Sequence, residues 1–118
     1  MKKMYYFFTM LLLACIHMVG CKPNTQTQIA ELEAQIADLE AQNEDNLLFI
    51  NSWQSKYNDA KDMYDSTMSM NEPEQRHLDY AKEKMDEATK EINALQREIN
   101  LNNLSIDLYQ KEIDNLKK

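Results

Sequence analysis

Apolar residues recur in this chain with a seven-residue period that holds over its last ninety or so residues. Counting in sevens from Ile29 gives Ile36, Asn43, Ile50, Tyr57, Tyr64, Asn71, Leu78, Met85, Ile92, Ile99, Ile106 and Ile113. The residues that follow each of these by three are Leu32, Leu39, Asn46, Trp53, Ala60, Thr67, Glu74, Ala81, Ala88, Leu95, Asn102, Tyr109 and Leu116. A 3.5-residue apolar repeat sustained this long is the pattern of a coiled coil. Turn chemistry is scarce in the same stretch. The single Gly is Gly20, and the second of two Pro is Pro73. The remainder is rich in Ala, Leu, Glu, Lys, Gln and Asn, which favour long helices over a compact mixed domain. The expected fold class is all-α.

Pro73 divides the repeat. A proline inside a helix removes a hydrogen bond and clashes with the preceding turn, at a cost of about 3 kcal/mol or more. Asn71 is a good N-cap residue, and Glu74 three positions on could complete a capping box. The sequence therefore predicts two helices, about 25–70 and 72–117, folded as an antiparallel hairpin over residues 29–118. A long kinked parallel coiled coil is the alternative. Side-chain sizes favour the hairpin. With the turn at Glu72-Pro73, facing residues have numbers that total 145. Tyr57 then faces Ala88, Tyr64 faces Ala81 and Asn43 faces Asn102. Large opposite small is what a close-packed seam requires. A buried amide pair satisfies itself and fixes register. Asn46 opposite Ile99 is the one poor layer, and Lys56 is expected near Glu91.

Several apolar residues fall off this seam. Leu47, Leu48 and Phe49 on the first helix and Leu101, Leu104 and Leu108 on the second lie at similar heights in the hairpin. They form an expected apolar belt for self-association or for an envelope protein, because contiguous exposed apolar surface marks interfaces. Met63, Met68 and Met70 sit near the turn, where flexible thioethers adapt to partners.

The first twenty residues differ in kind. Lys2 and Lys3 precede an apolar run from Tyr5 to Ile16, broken only by Thr9, and Met18-Val19-Gly20-Cys21 closes it. Positive charge, an apolar stretch and a small-residue cleavage site are the order of a secretory signal. With the cysteine at the cut, this segment resembles the lipobox of bacterial lipoproteins, Met18 standing where Leu is usual. The resemblance implies cleavage after Gly20 and acylation of Cys21, palmitate among the chains. Residues 1–20 would be the signal peptide and residues 21–28 the acylated cysteine and a flexible tether. Leu12-Leu13-Ala14-Cys15 is a second sequence of this type, but cleavage there leaves Ile16, Met18 and Val19 exposed. An uncleaved membrane helix is the other reading, although the apolar run is short of the ~20 residues that span a bilayer.

The chain has 13 basic and 20 acidic residues, net −7. Loss of Lys2 and Lys3 with the leader leaves 11 against 20, or −9. No basic patch is present to neutralise phosphates, so nucleic acid is not an expected partner. After the leader there is one His, His77, and no Cys beyond Cys21. Ligand pairs, Gly-rich phosphate loops and activated nucleophiles are missing from that stretch, so neither catalysis, a metal nor a cofactor is expected. Glu74, His77 and Asp79 read as a solvated tip.

These features point to a non-enzymatic lipoprotein of the bacterial cell envelope, lipid-anchored through Cys21 and placed in the outer membrane where the organism has one. It would act as a coiled-coil spacer or docking element. A periplasmic chaperone or adaptor with a methionine-bearing tip is an alternative. The chain also resembles Braun-type murein lipoprotein in its acyl anchor, helical coil and terminal lysine. That likeness would imply a link from Lys118 to peptidoglycan, but Pro73 and the large seam residues depart from that family's alanine-rich core.

Overall fold

The computed structural model of the protein describes residues 24–118. The expected signal peptide 1–20, Cys15, Cys21 and the first tether residues lie outside the described residues. Two helices make up the described chain, α1 (Thr25–Met68) and α2 (Gln75–Leu116). They pack on each other as a hairpin measuring 74 × 25 × 15 Å. A rod built from both helices end to end would approach 135 Å at 1.5 Å per residue. The hairpin, not the kinked rod, is the fold.

The first helix begins at Thr25, as the expected helix 25–70 does, and so runs through the second half of the expected tether. Asn24 is its N-cap, with its side-chain oxygen accepting from the Gln26 backbone N–H at 3.3 Å. Its carbonyl accepts from the Gln28 N–H at 3.0 Å. Thr25 to Gln28 are therefore helical, and any tether is shorter than 21–28. An asparagine ahead of a run of helix formers captures an orphan N–H of the first turn, which is enough to start the helix there.

The turn is wider than the sequence predicts. The first helix stops at Met68 rather than 70, and the second starts at Gln75 rather than 72. Helix axes in contact lie 8–10 Å apart. One residue between positions 70 and 72 cannot bridge that gap, whereas residues 69–74 can. Pro73 also disfavours helical geometry at Glu72. The expected Asn71 cap is not used. Glu74 occupies the N-cap position in extended geometry with no side-chain capping bond. Its carbonyl instead receives the His77 N–H at 3.0 Å and the Leu78 N–H at 3.3 Å. The other side of the turn is closed by Ser69, whose hydroxyl donates to the Ser66 carbonyl at 2.7 Å.

The register is the expected one. Asn102 Nδ2 donates to Asn43 Oδ1 at 3.0 Å, and Asn43 Nδ2 donates to Asn103 Oδ1 at 2.9 Å. Further toward the turn, the Lys82 ammonium lies 5.6 Å from the centre of the Tyr64 ring. Burial follows the same repeat, with Leu39, Asn46, Ala60 and Thr67 on α1 and Leu78, Ala81, Ala88, Ile99, Asn102 and Ile113 on α2. Ala81 and Ala88, opposite the two tyrosines, are completely buried. The weak layer also behaves as its chemistry dictates. Asn46 Nδ2 is buried opposite Ile99 without a hydrogen-bond partner. A buried unpaired amide costs about 1–3 kcal/mol.

One expected contact is not made. Lys56 forms no ion pair with Glu91. Its ammonium sits 4.1 Å from the centre of the Trp53 ring, one helical turn back. An exposed ion pair is worth little, whereas the indole face and the lysine stem also bury apolar surface together.

Candidate functional site: the surface off the seam

The six belt residues are all exposed. Leu47 is 51%, Leu48 68% and Phe49 47% accessible on α1, and Leu101, Leu104 and Leu108 are 63%, 60% and 65% accessible on α2. Their geometry differs between the helices. Three consecutive residues on an α-helix point about 100° apart, so Leu47, Leu48 and Phe49 face three different directions. Leu101, Leu104 and Leu108 are spaced by three and four and form one stripe. This stripe lies on the side of α2 turned away from the seam, where Ala94 and Asp107 are also exposed.

The outer side of α1 carries a stripe that the expected belt omits. Ala30, Ala34, Ala37 and Ala41 repeat by four and three, and all four are exposed. The signal was present in the sequence as a second apolar repeat, offset from the seam. Small residues are easily passed over beside leucines.

Nearer the turn the surface changes character. Trp53, Met63 and Tyr80 border an open groove of about 370 Å³, with Lys56 and Lys84 at its edge. Lys84 lies 5.7 Å from the centre of the Tyr80 ring and 3.0 Å from Glu87. Lys61 pairs with Asp65 at 2.7 Å. Hydrogen bonds donated to these carboxylates, and then the carboxylate charge, raise the Lys61 and Lys84 pKa values. Met63, Met68 and Met70 are exposed near the tip as expected. Glu74 and His77 approach to 3.4 Å in solvent.

Among the described residues, no group of three or more His, Cys, Asp or Glu is placed to hold a metal ion. No described helix is long and apolar enough to cross a membrane. What the surface offers is contact area: an acidic α1 base, two apolar outer stripes and an aromatic groove. Comparison with protein-family models, curated proteins and solved structures gave no match.

Proposed function

We propose that the protein is a non-enzymatic, lipid-anchored post of a bacterial envelope, held to the membrane by acylated Cys21 and presenting its hairpin as a spacer or docking element. The observation that supports this reading is how soon the first helix begins after Cys21 in the sequence. Helix α1 is capped by Asn24, three residues after that cysteine. An acyl chain on Cys21 would sit at the base of a body 74 Å long, with residues 69–74 at its far end. A tether this short gives little slack, so the height of the tip above the lipid is governed by the stiff helices. The acidic surface offers no electrostatic attraction to anionic lipid, which leaves attachment to the acyl chains. The hairpin carries Lys118 back to the level of the first turn of α1, which weighs against a wall link reaching outward from that residue.

Intact mass of the protein extracted from membranes, together with labelled palmitate uptake, tests the proposal. The expected result is a chain beginning at Cys21 with acyl mass, and release from the membrane fraction in Cys21→Ser. An unmodified full-length chain, or a Cys21→Ser protein that stays membrane-bound, overturns it.

A further inference from the structure

We propose that the outer leucine stripe of α2 docks on the outer alanine stripe of α1 in a second copy of this chain, the hairpins standing side by side at equal height and in the same orientation. The contact stands whether or not Cys21 carries lipid, so its failure and that of the anchor are separately visible.

The matching of the two stripes carries the inference. Leu104 lies at the height of Ala41, and Leu108 at the height of Ala37, because the inner register pairs numbers that total 145. When a neighbouring hairpin is set alongside without vertical shift, its Ala41 and Ala37 come opposite Leu104 and Leu108. The three-and-four spacing of one stripe meets the four-and-three spacing of the other in these two layers, as in an antiparallel helix pair, and the next layer sets Leu101 against Glu44. Large side chains on small ones let the helices approach closely. These four residues and Leu101 are exposed in the single hairpin, the leucines by more than half.

Charge within the stripes points to the same occupant. The leucine stripe ends in Arg97 and Lys111, whereas residues 25–55 of α1 contain no basic residue. Side by side, Arg97 comes one layer from Glu44 of the second copy, and Lys111 comes among its Glu31 and Asp38. Among the described residues, none of these five groups forms an ion pair within the hairpin. The rims are less favourable. Glu40 of one copy meets Asp107 of the next, a repulsion that salt screens over about 10 Å at 0.1 M.

The stripes lie on opposite edges of one hairpin. Each copy therefore presents two different faces, and the contact is head-to-tail and continues from copy to copy rather than closing as a two-fold dimer.

The full chain in mild detergent, studied by sedimentation, tests this. The unmodified protein is expected to form species larger than dimers. Leu104→Glu and Ala41→Glu, both at exposed positions, should each weaken association at least about tenfold with helicity retained. Mixed in equal amounts, the two variants should form a dimer and nothing larger, since each keeps the face the other has lost. A photo-crosslinker in place of Lys111 in the otherwise unmodified chain should attach to residues 31–38 of a second copy. A protein that remains monomeric at about 100 µM overturns the proposal. So does dispersal by Leu104→Glu but not by Ala41→Glu, a mixture that fails to pair, or crosslinks elsewhere.

Discussion

The half of the hairpin near the turn and the half near the chain ends are built from one repeat but solve packing differently. Toward the turn, Tyr57 and Tyr64 stand opposite Ala88 and Ala81, which are completely buried. The surface there mixes exposed Met63, Met68, Met70 and Tyr80 with locally paired charges, as in Lys61–Asp65 and Lys84–Glu87. Toward the ends, the seam contains Asn43, Asn46 and Asn102, and Asn46 leaves an amide nitrogen unpaired. The outside of that half carries the exposed leucines. Near the turn the buried polar side chain is Thr67. The other half sets Asn46 and Asn102 among the buried Leu39, Ile99 and Ile113 and exposes three leucines in one stripe. A single hairpin has little use for the second arrangement, whereas a surface that is covered in an assembly does.

The contrast can be broken most strongly in the tight half. Ala88→Leu forces extra volume against Tyr57 and is expected to cost about 1–3 kcal/mol, read as a lower urea midpoint by circular dichroism. The opposite sign is expected in the loose half. Asn46→Leu removes the unpaired amide and should raise stability by about 1–2 kcal/mol in the same measurement. If it destabilises instead, the inner face of that half is already well satisfied and the contrast is wrong. Asn43→Ala leaves the Asn102 side chain without its acceptor and should cost about 1 kcal/mol. It should also loosen register, seen as a broader distribution of distances between spin labels at positions 29 and 116. The smallest effect belongs to the surface pairs. Lys61 and Lys84 hold their protons more tightly folded than unfolded. Their contribution is fully present below the ordinary lysine range and fades as pH rises through the raised values. Both amines are exposed, so melting curves on either side of that window should differ by less than the Asn43→Ala shift.

The sequence made the seam legible because every layer constrains the next. A slip of one heptad would set Asn43 against Leu95 or Tyr109, so the asparagine pair and the two tyrosine–alanine layers selected one register. The turn was less legible. Asn71 and Glu74 satisfied a local capping rule, but bridging two packed helices required more chain than that rule supplies, and the cap moved to Glu74. Lys56 sits over a ring on its own helix and not in the ion pair expected across the seam. The six belt residues are exposed, although the three on α1 point apart. The alanine stripe is hard to see in the sequence because a small side chain gives little hydropathy signal, and its meaning comes from what stands at the same height on the neighbouring helix.

Because the turn closes one end of the hairpin only, the molecule answers to mechanical load according to direction. Tension applied between Asn24 and Lys118 opens the layers one after another, as a zip opens, with Leu32 and Ile113 among the first to part. Tension applied between the tip and the base runs along the helix backbones and does not pull the layers apart. A device fixed at its base and pulled at its tip would thus be strong along its working axis and easily dismantled from its two free ends.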